Sequence, residues 1–135
     1  FCRKVAKAVD GETIEVWGPG TQTRSFLYID ECIEATRKFM DSDFVGPVNI
    51  GSEEMISIND FAQMAIDISG KNLKIHNIDG KEFEEKYGHK CPIGVNGRNS
   101  DNTLYKEQLN WSVSEPLIDG MKKTYNWIKK QVDNC

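Results

Sequence analysis

The stretch ETIEVWGPGTQTRSFLYID, residues 12–30, decides the fold class that the sequence predicts. Residues 12–17 alternate polar and apolar side chains, which predicts a half-buried strand. A glycine-rich loop follows over residues 18–24, and residues 25–29 form a second short run of strand type. Asp30 is then placed to cap a helix. The expected apolar stripe of that helix is Cys32, Ile33, Thr36 and Met40. Strand, loop, strand and helix in succession indicate an α/β fold.

The middle of the chain continues this alternation. Short strands are predicted at residues 48–51 and 73–78. Between them, Ser57 and Asp60 have capping-box spacing, and Gly70 is expected to end the helix that they start. The apolar stripe of this helix is Ile58, Phe61, Ala62, Ala65 and Ile66. A small mixed sheet flanked by helices is therefore the expected architecture.

Both ends of the chain are predicted to be helical. Phe1 and Val5 share an apolar stripe that starts without a cap or an acidic first turn, so the helix is expected to begin upstream. We therefore expect the chain to be a piece of a longer protein. Two more helices are predicted, over residues 103–109 and from Pro116 onward. The stripe of the last helix is Leu117, Met121, Tyr125 and Ile128.

Residues 79–92 stand apart because half of them are charged and Gly80, Gly88 and Pro92 interrupt them. This composition is compatible with an exposed loop or with a short solvated helix.

Composition excludes several classes of function. The length of 135 residues fits one domain, and 28% charged residues with 39% hydrophobic ones are typical of a folded chain rather than a disordered one. The net charge of −4 argues against non-specific nucleic-acid binding. No apolar run approaches the roughly 18 residues that span a membrane. We expect neither nucleic acid nor membrane as a partner.

The cysteines and histidines suggest no special chemistry. The four cysteines are Cys2, Cys32, Cys91 and Cys135. They are scattered without a Cys-x-x-Cys pair, which favours reduced thiols and a cytoplasmic location. His76, His89 and Cys91 match no common zinc spacing, so no metal site is predicted.

Two arginines stand out as candidates for ligand binding. Arg24 ends the glycine-rich loop, and Arg98 follows residues 94–97 with their two glycines. A guanidinium fork on a flexible loop suits bidentate contact with a phosphate, and two such loops side by side would suit a diphosphate. The alternative is that both arginines pair with nearby acids such as Asp101.

The sequence contains no recognisable catalytic group. Gly18-Pro19-Gly20 is only superficially similar to a dinucleotide-binding fingerprint, because Pro19 and a strand-like run follow its first glycine. No Tyr-x-x-x-Lys or Ser–His–Asp pattern is present. The sequence thus contains candidate binding residues but no candidate catalytic ones.

Four motifs carry a resemblance to a known family. They are residues 17–32 (WGPGTQTRSFLYIDEC), 48–52 (VNIGS), 97–102 (GRNSDN) and 109–111 (LNW). The chain resembles the C-terminal lobe of the extended short-chain dehydrogenases/reductases, the NAD-dependent epimerases and dehydratases of nucleotide sugars. Further motifs favour the GDP-mannose 3,5-epimerases within that family. These are residues 1–4 (FCRK), 22–26 (QTRSF), 53–55 (EEM) and 125–129 (YNWIK).

The resemblance implies that substrate binding and catalysis lie in different domains. Residues 1–135 would form the substrate-binding domain, with 79–92 as an inserted loop. A Rossmann domain absent from this sequence would hold NAD and every catalytic residue. NAD would oxidise C4 of the hexose, C3 and C5 would be epimerised, and C4 would be reduced again, which converts GDP-mannose to GDP-L-galactose. Cys2 is not the catalytic cysteine on this comparison, and the 135 residues alone are expected to be inactive.

Individual residues carry over from the family's motifs. Lys4, Gln22, Thr23, Arg24 and Arg98 match positions that contact the GDP-sugar, with Arg98 on the diphosphate. Asp101 could accept a hydrogen bond from a ribose hydroxyl. The parent protein is expected to be a homodimer. Two alternatives stay open. One is the lobe of another nucleotide-sugar enzyme of this family, such as a UDP-sugar 4-epimerase, a decarboxylase or a dTDP-sugar 4,6-dehydratase. The other is an interaction domain without ligand.

Overall fold

A computed structural model describes residues 1–134, which form six helices and five strands. In chain order they are α1 Cys2–Lys7, β1 Thr13–Trp17, β2 Thr23–Ser25, α2 Ile29–Met40, β3 Met55–Ser57, α3 Ile58–Ser69, β4 Lys74–Ile78, α4 Gly80–Tyr87, β5 Gly97–Arg98, α5 Thr103–Leu109 and α6 Leu117–Asp133. The strands form two small sheets rather than one. Helices flank both, so the predicted α/β fold is confirmed.

The first sheet joins β1 and β4 in parallel, with a register that runs from Thr13 opposite Lys74 to Trp17 opposite Ile78. The second sheet has the order β3-β2-β5, in which β2 is antiparallel to β3 and parallel to β5. β2 therefore lies at the centre of the second sheet, and its two neighbours come from distant parts of the sequence.

The main core lies between α1, α3, α6 and the first sheet. Its buried members are Cys2, Val5, Ile14, Ala65, Ile66, Leu73, Met121 and Tyr125. Burial is the main cause of a raised pKa of the Cys2 thiol, so this cysteine is protonated and behaves as a small apolar side chain. Cys2, Cys32 and Cys91 are free thiols. Cys135 lies outside the described residues.

α3 begins and ends where the sequence predicts. The Ser57 hydroxyl oxygen accepts the Asp60 backbone N–H at 3.0 Å and donates its own proton to the Asp60 carboxylate at 2.6 Å. Gly70 ends the helix in the left-handed region, with φ of 69°. Short-range signals determine both ends of this helix.

The predicted cap and buried stripe of α2 are wrong. Tyr28, not Asp30, occupies the N-cap position, and no side chain caps the helix. Ile33 and Met40 are 51% and 74% exposed, whereas Glu31 and Ala35 are buried. The cause is a set of tertiary contacts between α2 and residues far from it in sequence. Glu31 Oε1 accepts hydrogen bonds from the backbone N–H and hydroxyl of Ser114 and from the Glu115 N–H, which turns this face of α2 inward.

Two strand predictions are also wrong. Of residues 25–29, only Ser25 belongs to a strand, because β2 starts earlier, beside β3. Residues 48–51 find no partner strand within residues 1–134. Side-chain amides connect this segment to the start of α5 instead: Asn49 Nδ2 donates to the Asp101 carbonyl, and Asn102 Nδ2 donates to the Gly51 carbonyl.

Residues 79–92 contain helix α4, so the helical alternative describes their form. The helix is not fully solvated, however, since Phe83 is completely buried. Its ring meets the Trp17 ring edge-on, with 5.2 Å between centroids. α4 therefore packs against the C-terminal end of β1.

Candidate functional site

The second sheet places the two candidate arginines side by side. Arg24 on β2 is the register partner of Arg98 on β5. Neighbouring strands lie about 4.8 Å apart, and partners in a parallel ladder direct their side chains to the same face. Thr23 faces Gly97 in the same ladder, and a Cβ at Gly97 would approach the Thr23 hydroxyl oxygen to 3.1 Å. A glycine at position 97 thus allows β5 to lie close to β2.

Backbone carbonyls hold the Arg24 guanidinium in place. Nη1 donates to the Thr23 carbonyl at 2.7 Å, and Nη2 donates to the Val95 carbonyl at 2.9 Å. A guanidinium has five N–H groups, so further donors remain for a ligand. Neither Arg24 nor Arg98 forms a salt bridge with an acid of residues 1–134, which disfavours the alternative that they pair with nearby acids.

Asp101 in particular is engaged elsewhere. Its Oδ1 accepts the Thr103 backbone N–H at 3.0 Å. Hydrogen bonds from Thr103 are the main cause that lowers the pKa of this carboxyl. The carboxylate therefore acts at the start of α5 rather than as a partner of Arg98.

Gln22, which precedes Thr23 and Arg24 in sequence, has an unsatisfied acceptor in its side chain. The residue is only 9% exposed, and Oε1 has no hydrogen-bond partner within the described part of the chain. A buried carbonyl oxygen without a donor costs about 1–3 kcal/mol. A ligand could supply a donor only if the side chain turned outward, because this oxygen is buried.

Lys4 lies in a different place from the other candidates. It is on α1, and its Nζ donates to the Glu15 carbonyl at 2.9 Å. It lines a groove of about 370 Å³ together with Lys86 and Tyr87 of α4. The structure thus groups Gln22, Thr23, Arg24 and Arg98 and places Lys4 on the groove between α1, β1 and α4.

Two asparagines support the glycine-rich loop, and sequence reasoning did not identify them. Asn77 Nδ2 donates to the Gly18 carbonyl at 3.0 Å and to Asn59 Oδ1 at 2.9 Å, while Asn59 Nδ2 donates to the Pro19 carbonyl at 3.3 Å. The residues come from β4 and the first turn of α3. No local pattern marks either residue, because both act across long distances in sequence.

A second concavity, of about 340 Å³, lies between residues 49–54, α5 and residues 111–116. Its rim includes the pair of Lys106 and Glu53, 2.9 Å apart. It contains none of the candidate binding residues.

The described residues lack two kinds of feature. Residues 1–134 contain no group of three potential metal-ligating side chains from His, Cys, Asp and Glu. The described helices include none that is both long and apolar enough to cross a membrane.

The chain is similar to known sequences of nucleotide-sugar enzymes. Residues 2–51 match the sequence model of the NAD dependent epimerase/dehydratase family. The chain is 47% identical to GDP-mannose 3,5-epimerase of Arabidopsis thaliana and to GDP-mannose 3,5-epimerase 1 of Oryza sativa subsp. japonica, in each case over 98% of this chain and 32% of the relative. It therefore spans about a third of the length of these epimerases.

Solved structures of epimerases share the fold. UDP-glucuronic acid 4-epimerase from Bacillus cereus, in complex with UDP-glucuronic acid and NAD, superimposes with a TM-score of 0.77 at 28% identity, covering 96% of this chain and 39% of that chain. UDP-N-acetylglucosamine 4-epimerase from Methanobrevibacter ruminantium gives a TM-score of 0.78 at 20% identity and shows the fold alone. The predicted resemblance to nucleotide-sugar epimerases is confirmed.

Proposed function

We propose that this chain is the nucleotide-sugar-binding part of an NAD-dependent epimerase that converts GDP-mannose to GDP-L-galactose. Identity of 47% to GDP-mannose 3,5-epimerases along nearly the whole chain supports this substrate. The proposal assigns residues 1–135 to binding and no residue among them to catalysis.

The pairing of Arg24 with Arg98 is the observation that carries the proposal. Two positive charges on neighbouring strands match the two negative charges of a diphosphate, and guanidinium groups bond phosphate oxygens in pairs. Arg24 is held by two backbone carbonyls before any ligand arrives. The side chain that receives the diphosphate is therefore already ordered, which reduces the entropy lost on binding.

Gln22 and Thr23 are assigned to hydrogen bonds with the same ligand. The Gln22 side-chain Oε1, which has no partner within residues 1–134 and is buried, would accept a hydroxyl or an amino group of the nucleotide sugar only after the side chain turns outward. Lys4 is retained from the resemblance alone, because its amine bonds the Glu15 carbonyl in a separate groove.

The glycine-rich loop of residues 18–24 does not fit NAD. The loop of Gly18, Pro19 and Gly20 connects β1 to β2, whereas a dinucleotide fingerprint leads from a strand into the N-terminus of a helix. NAD, which would supply and recover the hydride, is assigned to a Rossmann domain of the parent protein. The chain's own contribution is to bind and orient the sugar nucleotide.

A UDP-sugar is the second candidate ligand. The fold matches UDP-glucuronic acid 4-epimerase from Bacillus cereus at 28% identity, in a structure that holds UDP-glucuronic acid. A diphosphate is common to both classes, so Arg24 and Arg98 would serve either one. The base of the nucleotide distinguishes them.

Calorimetric titration of the full-length protein with GDP-mannose, GDP and UDP-glucuronic acid tests the proposal. We expect the guanine nucleotides to bind and Arg98→Ala to weaken binding by about tenfold to a hundredfold, since charge-assisted hydrogen bonds contribute about 1.5–3 kcal/mol. Arg37→Ala is the matched control, because Arg37 is exposed on α2, away from β2 and β5. Preference for UDP-glucuronic acid would favour the second candidate. Binding of neither nucleotide would favour an interaction domain without ligand.

Three further expectations are part of the same proposal. The parent protein is cytoplasmic, it is a homodimer, and the 135 residues alone do not turn over GDP-mannose with added NAD. Cell fractionation, light scattering of the full-length protein and an assay of the isolated chain check them in turn. Product formed by the isolated chain would contradict the assignment of catalysis to other residues.

A further inference from the structure

The side chain of Glu15 connects β1 to the last turn of α4. It accepts hydrogen bonds from Trp17 Nε1 at 2.9 Å, from the Lys86 ammonium and from the Tyr87 hydroxyl. Three donors thus converge on one carboxylate whose side chain is 18% exposed. Lys86 and Tyr87 end the helix, and Glu15 therefore fixes its C-terminal end to the first sheet.

Aromatic packing reinforces the same contact. The Phe83 ring is fully buried, and the Tyr87 ring lies 4.6 Å from it and 5.2 Å from the Trp17 ring. The other end of α4 follows β4 directly, and β4 pairs with β1 through Ile78 opposite Trp17. Both ends of the helix are therefore held relative to β1.

The segment that leaves α4, residues 88–96, runs directly to the candidate binding site. The Val95 carbonyl accepts a hydrogen bond from Arg24 Nη2, and the Asn96 carbonyl accepts the Thr23 backbone N–H at 2.8 Å. Ile93 contacts the loop, since a Cβ at Gly18 would lie 3.3 Å from Ile93 Cγ1. The position of this segment thus determines where the Arg24 guanidinium is held.

Glycines make this segment dependent on outside contacts. Gly88 and Gly94 have φ of 76° and 71°, and glycine loses more conformational freedom on ordering than any other residue. Two such residues make the order of the segment depend on its contacts, which are those of Ile93 with the loop and those at its two ends. One end is β5, paired with β2, and the other is the last turn of α4 on Glu15.

We propose that Glu15 is a positioning residue for ligand binding, which acts by fixing α4 and residues 88–96 so that Val95 and Asn96 hold Arg24 and Thr23. The identity of the ligand rests on the proposed function; the positional effect does not. Glu15 itself lies on β1 and acts on the ligand only through α4 and Arg24.

Hydrogen exchange of the full-length protein tests the positional effect without any ligand. Glu15→Gln should increase exchange of the Thr23 amide, because its acceptor at Asn96 becomes mobile. Tyr87→Phe, which removes one donor and keeps the ring, should give a smaller increase. Glu82→Gln is the matched control: Glu82 lies in the first turn of the same helix and bonds only the exposed His76 within residues 1–134. Equal exchange in Glu15→Gln and Glu82→Gln would overturn the proposal.

A double-mutant cycle with Arg24→Lys tests the functional effect. Glu15→Gln alone should raise KM for GDP-mannose by about tenfold and change kcat by less than about twofold, since it removes binding rather than chemistry. In the Arg24→Lys background the same change should have little further effect. If the two substitutions acted independently, so that the double variant raised KM by the product of the two single effects, the proposal would be overturned. Failure of the parent protein to bind any nucleotide sugar would instead refute the proposed function, and the exchange result would still stand.

Discussion

The Tyr105 hydroxyl donates a hydrogen bond to the Ala35 carbonyl at 2.6 Å, and both residues are inaccessible to solvent. The contact joins α5 to α2 across 70 residues of sequence. Trp111 packs edge-on against the Tyr105 ring, with 5.4 Å between centroids. The second half of the chain thus determines which face of α2 is buried.

Replacement of Tyr105 by Phe removes this hydrogen bond and retains the ring. We expect a loss of about 1 kcal/mol in the free energy of unfolding, because the Ala35 carbonyl still accepts a bond within its helix. Urea unfolding followed by circular dichroism measures the change. A variant as stable as the parent would show that the hydroxyl contributes no net free energy.

A helix end or a buried face can be predicted from the sequence when the residues that determine it are close together in the sequence. α3 is predictable because Ser57, Asp60 and Gly70 lie within or next to it. The buried face of α2 is not, since it depends on Ser114 and Tyr105.

The candidate site shows the same contrast between features that are local in sequence and contacts between distant residues. The sequence shows that Arg24 and Arg98 both follow glycine-rich segments, and this is enough to suggest a phosphate ligand. It does not show that the two arginines are register partners on parallel strands. The supporting amides of Asn59 and Asn77 leave no pattern in the sequence, because an asparagine in a first turn or in a strand has many ordinary explanations.

Ser57→Ala should lower the free energy of unfolding by about 1 kcal/mol, the usual contribution of an N-cap. The substitution removes the acceptor of the Asp60 N–H and leaves the rest of α3 unchanged. Ser112→Ala, at an exposed loop position, is the control and should stay within about 0.5 kcal/mol of the parent. Chemical denaturation compares the two. Equal stabilities would contradict the capping role.

Gly20 and Gly70 form a matched pair for a test of close packing. Their φ values are 71° and 69°, but a Cβ at Gly20 would lie 1.9 Å from Asn59 Oδ1, whereas nothing lies within 4 Å of one at Gly70. Gly70→Ala should cost about 1–2 kcal/mol from backbone strain. Gly20→Ala should cost more and should displace Asn59, the side chain that bonds the Pro19 carbonyl. Thermal unfolding of both variants measures the difference, and equal losses would refute the clash.

The carboxyl of Glu15 should produce a distinct dependence of stability on pH. Burial raises its pKa, but hydrogen bonds from Lys86, Tyr87 and Trp17 outweigh this effect and lower the pKa to about 2, from an ordinary value of 4.5. The folded protein thus keeps Glu15 ionised where the unfolded chain would protonate it. The resulting stabilisation is complete above about pH 4.5 and is lost as the pH falls toward about 2.

Glu15→Gln lacks this ionisation, so the stability gap between parent and variant should be widest near neutral pH and should narrow below about pH 4.5. Urea unfolding of both proteins across this range measures the gap. Lys86→Met removes one of the three donors, so the folded protein should protonate the Glu15 carboxyl at a higher pH. The gap should then be smaller near neutral pH and should finish closing at a higher pH. A gap that stays constant down to about pH 2 would show that the Glu15 carboxylate is not stabilised by these donors in the folded protein.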